Sequence, residues 1–196
     1  MPAYDPATAL IVVDLQNDFA DPAGSLAVSG AEAIIPVVNA ALWDAVEGGA
    51  HVVATQDWHP PSTPHFAIDG GIWPVHCVAD TWGAELHPAF SLPSDATRVR
   101  KGSNGEDGYS GFTMRDPVSG AERPTELDAL LRDRGVERVV VCGLATDYCV
   151  KATALDAVRL GYAVELLGGG VAAVDLEPGD GERALDEMRA AGVIVA

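Results

Sequence analysis

Three residues far apart along the chain, Asp14, Lys101 and Cys149, carry the parts of a nucleophilic site. Cys149 lies in Val139-Val140-Val141-Cys142-Gly143-Leu144-Ala145-Thr146-Asp147-Tyr148-Cys149-Val150, where a strand-like run stops at a glycine and a helical pattern begins. The first N–H groups of a helix have no backbone partner, and their partial positive charge favours an anion. The placement therefore predicts a thiol pKa below the ordinary value of about 8.5. Alone, a cysteine is most often a small buried hydrophobe. Its company changes that reading. Asp14 follows the first apolar run directly, and Lys101 ends a second strand-like run, Thr97-Arg98-Val99-Arg100-Lys101. If these strands are parallel, their ends converge on one crevice and supply a proton acceptor, a cation and a nucleophile.

A second constellation gathers possible metal ligands. Asp57-Trp58-His59 is followed by His65 and by Trp73-Pro74-Val75-His76-Cys77. In an extended segment Asp57 and His59 point to the same side, so both can reach one ion while His65 or His76 folds back from the loop. Imidazole and carboxylate donors suit one divalent transition metal, zinc, iron or manganese, and the spacing does not choose among them. His51 opens a strand and His87 precedes a proline outside this cluster; both read as structural.

The elements that must position these groups follow a repeated grammar. Thr8–Val13, 52–54, 139–141 and 193–195 are apolar runs of strand length, as expected for strands covered on both faces. Between them apolar residues recur at helical spacing: Ile34, Val38, Ala41, Leu42 and Ala45; Leu127, Leu130 and Leu131; Val150, Ala154, Leu155 and Val158; Ala184, Leu185 and Met188. Gly49, Gly135, Gly161 and Gly192 stand where left-handed helix ends are expected. The pattern predicts one α/β domain over 1–196, with a doubly wound, mostly parallel sheet, helices on both faces, and ligands bound beyond the carboxyl ends of the strands. From Asp57 to Ser94 the grammar fails; six prolines and four of the five histidines lie there. A long irregular insertion in a compact domain is usually functional. Gly102 to Arg123 reads as a second loop over the same end.

Composition narrows the function. With 48% hydrophobic residues and 21% charged, the chain can bury a core. A formal net charge of −17 disfavours nucleic acid and anionic membranes as partners. No signal-like start and no membrane-length apolar run is seen, so a cytoplasmic location is expected. Three cysteines at unrelated spacings fit reduced thiols, and Cys77 receives no role. No GxGxxG or Walker-type loop indicates a nucleotide. Homo-oligomerisation is left open.

Five segments in order, Asp-Leu-Gln-Asn-Asp-Phe from Asp14, Thr-Gln-Asp-Trp-His from Thr55, Trp-Pro-Val-His-Cys from Trp73, Lys101-Gly102 with Tyr-Ser-Gly-Phe from Tyr109, and Gly-Leu-Ala-Thr-Asp-Tyr-Cys-Val from Gly143, resemble the nicotinamidase (pyrazinamidase) branch of the isochorismatase-like cysteine hydrolases. The resemblance implies a three-layer α/β/α fold with a six-stranded sheet. It further implies an Asp14, Lys101 and Cys149 triad, and hydrolysis of nicotinamide, and of pyrazinamide, through a thioester. It implies a metal on Asp57, His59 and His76, with His65 as a ligand in some members. It also implies an oxyanion hole from the N–H groups of Ala145 and Cys149, the first turned inward by a cis peptide after Leu144. Phe19, Trp73, Tyr109 and Leu144 would wall the substrate. Other hydrolases of this fold, such as N-carbamoyl amide amidohydrolases or isochorismatases, and a non-catalytic binding module are the alternatives. The Asp57/His59 pair argues against the other hydrolases and the complete triad against the module.

Overall fold

The computed structural model describes residues 4–195. Its centre is a six-stranded sheet of β1 (Thr8–Val13), β2 (His51–Asp57), β3 (Thr97–Lys101), β6 (Arg138–Leu144), β7 (Ala163–Ala172) and β8 (Ile194–Val195), in the order β3-β2-β1-β6-β7-β8. Every neighbouring pair is parallel. The order reverses at β1, so the carboxyl ends of β1, β2 and β6 surround a crevice of the kind in which doubly wound sheets bind ligands.

Alternation along each strand builds the layers. Leu10, Val12, Ala54, Val140 and Cys142 face α2 (Ala31–Glu47), whose Ile34, Val38, Ala41, Leu42 and Ala45 are buried against them. Ala9, Ile11, Val13, Val53, Val99, Val139 and Val141 face the opposite way. There they meet residues of α3 (Leu127–Asp133), α4 (Lys151–Arg159) and α5 (Asp180–Ala190). With both faces covered, the central strands are continuous buried runs, as the sequence predicts.

Two closures bear on the site. Gly143 lies opposite Val13 in the β1–β6 register, with φ +109°, and a Cβ there would stand 2.1 Å from the Val13 carbonyl oxygen. Only glycine lets these two strand ends come together. The four helix-ending glycines expected from the sequence, Gly49, Gly135, Gly161 and Gly192, all have positive φ.

The insertion after β2 contains only two short 3₁₀ turns, Ala67–Asp69 and Trp82–Ala84. The second irregular stretch differs from a simple loop, because Thr113–Arg115 (β4) and Glu122–Pro124 (β5) pair as an antiparallel hairpin. Each strand has three residues, too few for alternation to register in the sequence. A four-residue helix, α1 (Asn17–Ala20), follows β1. Among the described residues no helix is long and apolar enough to cross a membrane.

Candidate active site and metal centre

Asp14, Lys101 and Cys149 meet at the crevice. Asp14, just past β1, is fully buried and left-handed at φ +47°. Its backbone N–H donates to Thr55 Oγ1 at 3.2 Å, and the Thr55 hydroxyl donates in turn to Asp14 Oδ1 at 2.7 Å. This leaves Oδ2 to approach Lys101 Nζ at 2.8 Å. Lys101 points inward because β3 alternates: Val99 and Lys101 are buried, while Arg98 and Arg100 face out. Arg100 lies over the Trp58 ring at 3.6 Å. The Lys101 ammonium also donates to Asp57 Oδ1 and to Cys149 Sγ, the latter at 3.6 Å. Its three protons thus have three neighbours: two carboxylates and a thiol.

The charge count in this buried knot decides its resting state. Burial alone would push the Lys101 pKa down, but Asp14 and Asp57 overcome it and hold the ammonium well above its ordinary value. Burial pushes the Asp14 carboxyl up, with Lys101 opposing. Burial also drives the Cys149 thiol well above its usual range, against the pull of Lys101. A thiolate would be a third anion around one cation. The expectation of a depressed thiol pKa is therefore corrected: at rest Cys149 is a thiol. Its backbone setting differs as well, since Cys149 sits in a π-type turn, Thr146–Val150, ahead of α4.

Asp57 faces two ways. The parallel register places it beside Lys101, and its Oδ2 reaches His59 Nε2 at 3.8 Å and His76 Nε2 at 4.0 Å. Lys101 holds its carboxyl far below the usual range despite burial. Donor nitrogens of His59, His65 and His76 all lie within 4.8 Å of one another, and all three residues are buried. Both ring nitrogens of His59 lack hydrogen-bond partners. His76 Nδ1 lies 2.7 Å from the Pro74 carbonyl, which fixes that nitrogen as the donor and leaves Nε2 with its lone pair. Burial lowers the His76 pKa to about 4, so the ring is neutral. Three converging imidazoles, the His59 nitrogens without partners, beside the Asp57 carboxylate fit a divalent metal.

Over the thiol lies an apolar hollow of about 380 Å³ including its open mouth. Phe19, Trp73, Tyr109 and Leu144 line it, and Cys149, Ala145, Asp57, His65 and His76 also border it. The Leu144–Ala145 peptide is cis. Trp73 Nε1 donates to Tyr109 Oη at 3.0 Å, and Tyr148 packs edge-on against both rings.

These features coincide with clear relatedness. The family profile described as the Isochorismatase domain matches residues 8–196. The chain belongs to the isochorismatase family. It is 39% identical to a nicotinamidase of Escherichia coli, over 95% of this chain and 93% of that protein. It superposes at TM-score 0.87 on a pyrazinamidase of Pyrococcus horikoshii in complex with zinc, 45% identical and covering 97% of this chain and 99% of that one. It superposes at the same TM-score on PnC1 from L. infantum in complex with nicotinate, 37% identical and covering 100% and 95% respectively.

Within this isochorismatase-family site several contributors escaped the sequence reading. Gln16 clamps the backbone of Asp57 from both sides, and Thr55 orients Asp14. Asp18 Oδ2 accepts the Cys77 N–H at 2.7 Å, which fixes the segment carrying His76. Asp147 accepts the N–H groups of Val174 and Asp175 at 3.0 and 2.9 Å, and Val174 lines the hollow. Small polar residues near strand ends carry no periodic signal; only their adjacency to Asp14, Asp57 and Cys149 in sequence could have drawn attention to them. Cys77, beside His76, is buried with its Sγ 3.8 Å from the Gly83 carbonyl oxygen, a packing role.

Proposed function

We propose that this chain hydrolyses nicotinamide, and the similar flat amide pyrazinamide, to the carboxylate and ammonia through a Cys149 thioester. The observation that carries the reading is the meeting of Asp14, Lys101 and Cys149 beneath an apolar, aromatic-walled hollow beside three converging histidines. A neutral aromatic amide suits such a lining. The similarity to a nicotinamidase and a pyrazinamidase, and the nicotinate in the L. infantum structure, support the same substrate class.

The charge count dictates the route. Passing the Cys149 proton to Asp14 leaves the net charge of the knot unchanged, so the sulfur becomes nucleophilic without adding a third anion. The sulfur attacks the amide carbonyl carbon, and the oxyanion accepts from the Ala145 and Cys149 N–H groups; losing one such donor typically costs about 10²–10³ in rate. Asp14 gives its proton to the amide nitrogen as the C–N bond breaks, and ammonia leaves. Water then gives a proton to Asp14 as its oxygen attacks the thioester. The C–S bond breaks, nicotinate is released, and Asp14 returns the proton to Cys149. Lys101 stays charged throughout and holds both Asp14 and the sulfur in place.

Asp57, His59, His76 and His65 are the residues that would hold the metal, with zinc, iron and manganese all compatible. When bound, it supplies a Lewis-acid site for the pyridine nitrogen, orienting the ring. The test is ammonia release from nicotinamide: Cys149→Ala abolishes it while the far-ultraviolet circular dichroism stays unchanged. Full turnover in that variant would refute the mechanism.

A further inference from the structure

We infer that Asp107 is a positioning residue for the metal centre, holding His65 with its second nitrogen turned toward the ion. This deepens the reading of the histidine cluster as a metal site and rests on it. His65 Nδ1 lies 2.8 Å from Asp107 Oδ1, off the ring N–H axis, and this oxygen is buried with no other polar partner. His65 stacks on His59 with ring centroids 5.0 Å apart and planes 26° apart. With one face covered and Nδ1 engaged, Nε2 is the nitrogen left to face His59 and His76. A carboxylate on the far nitrogen of a metal-bound imidazole fixes its tautomer and orientation and makes it a stronger donor.

Asp107 is itself held firmly. It forms an antiparallel bridge with Arg115, exchanging backbone hydrogen bonds in both directions, one of them at 2.6 Å. The carboxylate is thus presented to His65 from the turn end of the β4–β5 hairpin, where Arg115 pairs with Glu122. Two residues further on, Tyr109 takes the Trp73 hydrogen bond at the hollow. One short segment therefore serves both the ligand set and the aromatic wall. Because the bridge uses only backbone atoms, Asp107 can be replaced without undoing it.

The experiment measures the affinity of the full chain for zinc alone, by competition with a chelating dye, in the parent protein and in Asp107→Asn, Asp107→Ala, His65→Ala and the Asp107→Ala/His65→Ala double variant. Loss of such an orienting group typically weakens binding by about 10- to 100-fold. We expect that loss in Asp107→Ala, a smaller one in Asp107→Asn, and no further weakening when Asp107→Ala is added to His65→Ala. A purely structural role would instead weaken binding equally in both backgrounds, and that result overturns the inference. Unchanged affinity in Asp107→Ala, alongside weakened His65→Ala, overturns it while the metal site stands. Unchanged affinity in His65→Ala also overturns it, because Asp107 would then have no ligand to position, and a further variant, His59→Ala, unchanged alongside it would remove the histidine site itself.

Discussion

Gln16 and Asp57 are joined amide to backbone in both directions: Gln16 Nε2 donates to the Asp57 carbonyl at 2.7 Å, and Gln16 Oε1 accepts the Asp57 N–H at 2.8 Å. The same Nε2 also reaches the Ala84 carbonyl at 2.9 Å. One buried side chain thus sets the position of the residue shared by Lys101 and the histidines. Gln16→Ala leaves the buried Asp57 N–H and carbonyl short of their Gln16 partner, while the Ala84 carbonyl keeps Gln56 Nε2 at 3.0 Å; each group left bare costs about 1–3 kcal/mol. We expect a clearly lowered urea midpoint together with reduced zinc content after dialysis. A variant that keeps full metal content would show that Asp57 holds its place without the clamp.

Stability should also respond to acid through His76. Burial lowers its folded pKa to about 4, from an ordinary unfolded value of about 6.5. Between these values the unfolded chain binds the proton and the folded one does not. The stabilisation is therefore fully present above pH 6.5 and lost as pH falls toward 4, by up to a few kcal/mol. In metal-free protein, urea midpoints measured across this window should fall, and His76→Ala should flatten the fall. Identical slopes in the two proteins would assign the acid response to other groups.

Asp147 offers a third test, at the opposite wall. Its two carboxylate oxygens take the N–H groups of Val174 and Asp175, and Asp175 Oδ1 in turn accepts the Gly181 N–H at 2.8 Å, in the first turn of α5. Asp147→Ala frees the segment that brings Val174 to the hollow. Hydrogen bonds to charged groups contribute about 1.5–3 kcal/mol each, so KM for nicotinamide should rise about tenfold or more with a smaller change in kcat. A variant that lost kcat at unchanged KM would place Asp147 with Cys149 rather than with the substrate wall.

Much of this architecture was legible in the residues. Buried parallel strands, glycine-ended helices and an irregular histidine-bearing insertion follow from periodicity and turn chemistry, and Asp14, Lys101 and Cys149 were readable as strand-end groups. What escaped belongs to contacts that only the folded chain creates. Asp57 reads as a ligand beside His59, yet the β2–β3 register also sets it against Lys101. Cys149 reads as an activated thiol, yet two carboxylates already claim the cation. Gln16, Thr55, Asp107 and Asp147 act through partners 27 to 42 positions away, and no local pattern announces such distances.

Gly143 has one more consequence. Since the Val13 carbonyl fills the space a methyl group would need, even the smallest replacement there must wedge the first and sixth strands apart. Just beyond those strands lie the acid and the sulfur. A residue with no functional group therefore gauges how far a proton must travel, and harm to it would resemble loss of the nucleophile in an assay while every reacting atom remained in the chain.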